Sequence, residues 1–150
     1  MKKYIGTKIV KAEPSIRVDG KICHPGTMLS LCPQAEQGFT VLYSDGYLSW
    51  SPKEVFEEAY RETDGMPFGL AIEAIKKGKK VARRGWNGKE QYIELAVNIS
   101  YLNSKWEQVN AEHKDSGSAA IAFVGTRGVQ LGWLASQSDM LSDDWYIVEE

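Results

Sequence analysis

Three short turn sequences, each ending in glycine, most constrain how this 150-residue chain can fold. They occupy residues 44–46, 87–88 and 126–128, and each lies between two runs of apolar residues. Asp-Gly, Asn-Gly and similar turns tolerate the positive φ angles that tight hairpins require. Strands joined by such hairpins run antiparallel. The sequence therefore predicts a mostly antiparallel sheet.

Two helices are predicted beside these strands. Ser51 and Glu54 have the spacing of a capping box, which predicts a helix that continues to about Arg61. A second helix is expected to open at Pro67 and to end at Gly78, since glycine suits a left-handed cap. The predicted fold class is α+β, with a small β-hairpin/helix module before a second module that opens with a short helix.

The remaining strands are predicted from apolar runs and the residues that interrupt them. Pro14 lacks a ladder donor, so it is expected to end a first strand at residues 4–12. Residues 15–38 and 98–118 are predicted to be irregular, with Trp106 as the large apolar anchor of the second stretch. The other predicted strands are residues 39–43, 47–50, 79–86, 90–97, 119–125, 129–135 and 145–148.

The polar segment at residues 62–65 predicts a boundary between two modules, residues 1–62 and residues 66–150. No apolar run approaches the roughly 20 residues that cross a bilayer, and the N-terminus shows no apolar signal core. The expectation is a protein that stays in the cytoplasm and does not contact membranes.

The charge and the cysteines limit the possible partners. A formal net charge of -2 argues against a general nucleic-acid binder, whose surface is broadly basic. Cys23 and Cys32, even with His24 and His113, match no common zinc spacing. We therefore expect free thiols, no metal and no cofactor.

The strongest local signal is a run of cations at residues 76–84, which leads directly into Gly85, Trp86 and Asn87. Arginine forks pair with phosphate oxygens, and an indole ring can stack on a base. This pattern predicts binding of a flat, anionic molecule. For Lys76, Lys77 and Lys79 a simpler interpretation, a solvated helix end, is favoured. The cations of the run are Lys76, Lys77, Lys79, Lys80, Arg83 and Arg84.

A polar quartet at residues 136–139 is the second candidate. Ser136 and Asp139 have the spacing of a capping box, which is a sufficient structural explanation. A functional interpretation adds that helix-start amides can bind phosphate, while Gln137 or Asp139 reads ribose or base groups. The apolar residues around the quartet are expected in the core: Leu134, Met140, Leu141 and Trp145.

Catalytic patterns are weak in this sequence. No serine, histidine and carboxylate trio is suggested, and the Gly-Lys pair at residues 78–79 lacks the rest of a phosphate-binding loop. Asp143 and Asp144 are adjacent, so their side chains diverge on any regular element. A binding protein is therefore favoured over an enzyme.

Two of these segments together resemble a known family. Residues 77–89 and residues 133–145 are similar to the two signatures of the Thoeris anti-defence two family of phage proteins, in the same order. The resemblance covers residues 66–150. Residues 4–8 and 46–56 are similar to a segment that often precedes this domain in phage and prophage proteins. Residues 90–94 are more polar here than in the family pattern.

The resemblance implies a sponge for immune signals in the cytoplasm of an infected bacterium. Family members bind cyclic ADP-ribose isomers, such as glycocyclic ADP-ribose, and hold them uncleaved. The resemblance further implies binding of cyclic dinucleotides of the CBASS defence, which is known for some members with the extra N-terminal segment. Members form homotetramers with pockets between subunits.

The residues above carry the expected ligand contacts. Arg83 or Arg84 would pair with phosphate, Trp86 or Tyr92 would stack a base, and the quartet would contact ribose. The full expected set is Arg83, Arg84, Gly85, Trp86, Asn87, Tyr92, Trp133, Ala135, Ser136, Gln137, Ser138 and Asp139. The alternatives are an enzyme that degrades such nucleotides, a phage structural or assembly protein without a small ligand, and a single-strand nucleic-acid binder.

Overall fold

The computed structural model describes residues 1–86 and 90–148. The chain divides into two compact units, Met1–Arg61 and Glu62–Glu150. That residues 1–62 and 66–150 act as separate functional modules stays a prediction. Cys23 and Cys32 carry free thiols. Among the described residues, no helix combines the length and the apolar character that crossing a membrane would require.

The first unit is a four-stranded antiparallel sheet with one helix. Its strands are β1 (Lys11–Val18), β2 (Lys21–Cys23), β3 (Glu36–Leu42) and β4 (Leu48–Pro52), in the spatial order β2-β1-β3-β4. Helix α1 spans Lys53–Ala59, and a short 3-10 helix spans Met28–Leu31. The hairpin predicted around residues 44–46 is confirmed, since β3 pairs with β4 across it.

The predicted first strand at residues 4–12 is wrong. β1 begins at Lys11 and includes Pro14, which lies opposite Phe39 of β3. On its other side β1 pairs with β2 only from Ile16 onward. In the described sheet Pro14 therefore lies at an edge, where a missing backbone donor removes no ladder bond.

Residues 15–38 are also more regular than predicted. They include the end of β1, all of β2 and the start of β3. Asp19 and Gly20 join β1 to β2 with φ angles of 46° and 77°. Positive φ at both central residues is the geometry of the hairpin turn that Asp-Gly favours. The pair was a readable hairpin signal that the prediction overlooked.

The predicted capping box at the start of α1 is wrong. Ser51 belongs to β4, and its hydroxyl donates to the Pro52 carbonyl instead of capping the helix. Pro52 is the residue before the first helical turn, where its missing N–H costs no hydrogen bond. The helix ends at Ala59, two residues before the predicted end at Arg61.

Aromatic stacking attaches α1 to its sheet. The Phe56 ring centroid lies 4.3 Å from that of Phe39 and 4.8 Å from that of Tyr60. Val55 and Ala59 of the same helix are exposed. The contact of α1 with its sheet therefore depends on Phe56.

In the first sheet the Trp50 ring packs closely against the backbone of Gly38. Trp50 lies across Gly38, where an added Cβ would overlap the indole ring and the Ser51 carbonyl oxygen. The Arg17 guanidinium carbon lies 4.0 Å from the Trp50 ring centroid, and Arg17 also donates to Glu36 at 2.7 Å. Only glycine at position 38 leaves room for this stack.

The second unit contains a five-stranded antiparallel sheet in the order β10-β9-β6-β5-β11. A separate hairpin is formed by β7 (Tyr101–Leu102) and β8 (Gln108–Val109). The helices are α2 (Phe68–Lys76) and α3 (Gln137–Met140). The strands of the large sheet are β5 (Val81–Arg83), β6 (Tyr92–Ala96), β9 (Ala120–Gly125), β10 (Gly128–Leu131) and β11 (Trp145–Ile147).

Helix α2 covers one face of this sheet and forms the core with it. Ala71 and Ile75 of α2 pack with Val81, Ile93 and Trp145, all of them buried. The predicted α+β class with mostly antiparallel sheet is confirmed. The strand predicted at residues 79–86 is shorter than expected, and the predicted Asn87-Gly88 turn lies outside the described residues.

Two expectations about apolar residues are wrong. Trp106 is 82% exposed at the tip of the β7–β8 hairpin, so it does not anchor that segment. The Asn103 side chain holds this tip instead, because its oxygen accepts from the Lys105 and Glu107 amides. Of the apolar residues around the polar quartet, only Trp145 is in the core, since α3 is a single turn. The exposed ones are Leu134, Met140 and Leu141.

The two ends of the second unit lie side by side. Met66 and Trp145 exchange backbone hydrogen bonds of 2.7 and 3.1 Å. The Ile147 amide also donates to the Thr63 carbonyl at 2.8 Å. The segment that enters the unit is thus bonded to its last described strand.

Candidate functional site

Arg83 lies at the end of β5 and is held between two carboxylates. Its Nη1 donates to Asp139 Oδ1 at 2.7 Å, and its Nε donates to Asp144 Oδ1 at 2.8 Å. The side chains of Arg83 and Asp139 are each only 12% exposed. The hydrogen bond to Asp144 is the main cause of the raised pKa of Arg83, so the guanidinium stays charged. We call Arg83, Asp139 and Asp144 the arginine clamp.

Asp139 is the most connected residue of the arginine clamp. It also accepts from Trp86 Nε1 at 3.1 Å and from the Ser136 amide at 2.9 Å. The Asp139 amide donates to Ser136 Oγ at 3.1 Å, which confirms the predicted capping box. Burial opposes ionisation of Asp139, but hydrogen bonds from Ser136, Arg83 and Trp86 outweigh it and lower the pKa to about 2.

Asp144 was missed as a site residue. Its carboxylate accepts hydrogen bonds from the Gly85 amide, at 2.8 Å, and from Arg83. The bond from Arg83 is the main cause of the lowered pKa of Asp144. A Cβ at Gly85 would lie 3.0 Å from Asp144 Oδ2, so a side chain there would press on the clamp. The adjacent Asp143, in contrast, is exposed. The pairing of Trp145 with Arg83, which brings Asp144 close, leaves no local sequence signal.

Trp86 and Trp133 belong to an aromatic cluster beside the clamp. The Trp86 centroid lies 5.3 Å from Trp145, 5.5 Å from Phe123 and 6.0 Å from Trp133, always with the rings edge to face. Both indoles are half-buried and pack against the core. With Asp139 bound to the Trp86 nitrogen, the cluster forms a rigid aromatic wall.

Arg84 and Tyr92 lie on the opposite face of the sheet. Tyr92 precedes the buried Ile93 in β6, and side chains alternate along a strand. The Arg84 guanidinium carbon lies 5.2 Å from the ring centroid of Tyr146, which follows the buried Trp145. The predicted site residues therefore occupy two places instead of one.

The remaining predicted residues flank the clamp. Gln137 and Ser138 are exposed on α3, and Ala135 is half-buried. Ser138 Oγ lies 2.9 Å from Ser136 Oγ. Asn87 lies outside the described residues. The structure thus gathers Arg83, Gly85, Trp86, Trp133, Ser136 and Asp139 in one cluster.

The charges of the arginine clamp do not favour an anion. One guanidinium faces two carboxylates, both with lowered pKa values, so the clamp carries a net negative charge at neutral pH. Within residues 1–86 and 90–148, no cluster of histidine, cysteine, aspartate and glutamate is suited to a metal ion. The chemistry that this arrangement offers is hydrogen bonding and stacking.

A cavity of about 290 Å³ opens at the β9–β10 turn, with Phe123 and Arg127 among its lining residues. The predicted ligand-binding residues that the structure describes do not line it. Phe123 nevertheless connects the cavity to the aromatic wall, because its ring also contacts Trp86.

A family model described as a Tad2-like, or Thoeris anti-defense 2-like, domain matches residues 66–148. The chain belongs to this family. A curated relative named Thoeris anti-defense 2, from Bacillus phage SP01, is 32% identical over 84 residues, which are 55% of this chain and 94% of the relative. The suspected family is confirmed. The Tad2-like domain includes the arginine clamp, the aromatic wall and the opposite sheet face.

Proposed function

We propose that this protein protects a phage by binding a cyclic nucleotide immune signal in the cytoplasm of the infected bacterium and holding it uncleaved. The observation that carries the proposal is the match of the Tad2-like family to residues 66–148. The relative in Bacillus phage SP01 bears the name Thoeris anti-defense 2, which supports a role against host defence.

The chemistry of the second unit supports a ligand with bases and phosphates. The half-buried Trp86 follows Arg84 by two residues, and the ring centroid of the half-buried Tyr146 lies 5.2 Å from the Arg84 guanidinium carbon. Aromatic faces stack any base, and guanidinium groups pair with phosphate oxygens. We therefore propose cyclic ADP-ribose isomers, such as glycocyclic ADP-ribose, as the ligands.

Cyclic dinucleotides of the CBASS defence are the second ligand class in this proposal. The reason is the similarity of residues 4–8 and 46–56 to the segment that accompanies such binding in the family.

A sponge must bind a scarce signal, and this demand indicates an enclosed pocket. Nanomolar affinity corresponds to about -12 kcal/mol. Charged hydrogen bonds contribute about 1.5–3 kcal/mol each and stacking about 1–3 kcal/mol per base. Association itself costs at least about 4 kcal/mol. Two such contacts on an open surface are too few, so we propose that a homotetramer encloses the ligand between subunits.

Sequestration and degradation are separated by recovering the ligand. Purified protein is incubated with glycocyclic ADP-ribose, freed of unbound ligand, heat-denatured and centrifuged, and the supernatant is analysed by mass spectrometry. Intact ligand in a protein-dependent amount is the expected result. A changed mass would show an enzyme, and calorimetry without binding at micromolar concentration would favour a structural or assembly protein. Native mass spectrometry of the same sample gives the oligomeric state.

A further inference from the structure

The cations that were predicted to bind phosphate differ in their availability. Arg83 is 12% exposed and already donates to Asp139 and Asp144. A phosphate at Arg83 would have to displace a carboxylate and would remain close to another one. Arg84 is 60% exposed, and its carboxylate neighbour Asp64, 3.4 Å away, is exposed as well. Exposed ion pairs are weak, so a phosphate can replace Asp64.

Arg84 borders an aromatic surface that the predicted site did not include. β11 pairs with β5 so that Tyr146 lies opposite Ala82, and β5 pairs with β6 at Val81 and Ile93. Continuing this antiparallel register by one residue puts Ala82 next to Tyr92. The two tyrosines therefore lie in one row, with a single strand between them.

Each tyrosine of this row has a cation beside its ring. Lys80 Nζ lies 5.3 Å from the Tyr92 centroid, and the Arg84 guanidinium carbon lies 5.2 Å from the Tyr146 centroid. We call Lys80, Ala82, Arg84, Tyr92 and Tyr146 the tyrosine face. Ala82, which lies between the two tyrosines in the register, is only 1% exposed.

From this geometry we infer, on the basis of the proposed function, that the tyrosine face binds the nucleotide, with its bases on Tyr92 and Tyr146 and its phosphates on Lys80 and Arg84. Strands two positions apart in a sheet are separated by about 10 Å, so both rings are within reach of one compact nucleotide. The arginine clamp then has a structural role: it fixes the end of β5, and Arg84 follows directly.

Glu94 adds selectivity to this surface. It follows Ile93 in β6, so it lies on the same side of the sheet as Tyr92 and is half-buried. A carboxylate accepts hydrogen bonds from ribose hydroxyls and base amino groups, and it repels a bare phosphate. The chemical class that fits is therefore a nucleotide with a base and ribose hydroxyls, and not inorganic phosphate or pyrophosphate.

The test is isothermal titration of the full chain with glycocyclic ADP-ribose. Arg84→Gln removes the charge, and Tyr146→Leu removes the stacking ring while keeping an apolar side chain. Arg84→Gln is expected to weaken binding at least about tenfold and Tyr146→Leu at least about fivefold, because these are the smallest usual effects of a charge-assisted hydrogen bond and of a stacked base. Lys79→Gln is the matched control, since Lys79 is an exposed cation of the same run.

The possible outcomes separate this inference from the proposed function. Wild-type protein that does not bind the probe contradicts the proposed function, and the inference with it. Wild-type protein that binds, with Arg84→Gln and Tyr146→Leu both within twofold of it, overturns the tyrosine face alone. Circular dichroism melts of every variant exclude unfolding as the cause of a loss, and Tyr146→Phe should retain binding because it keeps the ring.

Discussion

Replacement of Asp139 by alanine tests the arginine clamp most directly. The change removes the acceptor of Arg83 at 2.7 Å and of Trp86 at 3.1 Å, and it breaks the capping box with Ser136. A hydrogen bond to a charged group contributes about 1.5–3 kcal/mol and a cap about 1 kcal/mol, and both Arg83 and Trp86 donate to the ionised carboxylate. Since Asp144 still neutralises Arg83, we expect the lower end of the sum, a loss of about 4 kcal/mol.

Urea unfolding followed by tryptophan fluorescence measures this loss, because Trp86, Trp133 and Trp145 surround the clamp. Asp143→Ala is the control: it also removes a carboxylate, but an exposed one. A loss below about 1 kcal/mol for Asp139→Ala, or equal losses for both variants, would refute the idea that the clamp holds the unit together. Asp139→Asn keeps an acceptor oxygen, so it should lose less than the alanine variant.

Acid should destabilise the second unit, because the pKa of Asp139 in the folded protein is about 2, below the ordinary 3.8. The ionised Asp139 therefore contributes about 2 kcal/mol to the free energy of unfolding. This stabilisation is present above about pH 4 and is lost as the pH falls towards 2. Urea midpoints at pH 5 and pH 2.5 should therefore differ less in Asp139→Asn than in wild type. Gly38→Ala should lower the melting temperature, because the added Cβ would overlap the Trp50 ring. Gly69→Ala should raise the free energy of unfolding by up to about 1 kcal/mol, because alanine favours the helix and its Cβ would meet no other atom at this position of α2. Trp106→Gly should be neutral or stabilising by urea titration, since the exposed Trp106 has a φ of 65°; a loss above about 1 kcal/mol would restore Trp106 as an anchor.

Local signals allowed much of the fold to be predicted. The hairpin at residues 44–46 and the strands around residues 126–128 follow from glycine turns, and the Ser136 cap follows from its spacing to Asp139. The errors at Pro14 and Ser51 have a common cause. Whether a proline ends a strand, or a serine caps a helix, depends on which neighbours the sheet supplies at that residue, and pairing is not local information.

The candidate site was harder to predict, because it depends on contacts between distant parts of the chain. The side chains of residues 83 and 84 lie on opposite faces of the sheet, and the pairing of β11 decides which partners each one meets. Its register brings Asp144 to Arg83 and Tyr146 to Arg84. Hydrophobicity alone placed Leu134 in the core, although it is 88% exposed.

Thr63 and Met66 are bonded to β11, so the beginning of the second unit lies beside its last described strand. A domain whose two ends lie close together can be inserted into a surface loop of another domain without a change in its own fold. Circular permutation is the corresponding engineering route: residues 62 and 148 are linked by a short peptide, and new termini are opened beside Trp106. Such a permutant should retain both the tyrosine face and the arginine clamp.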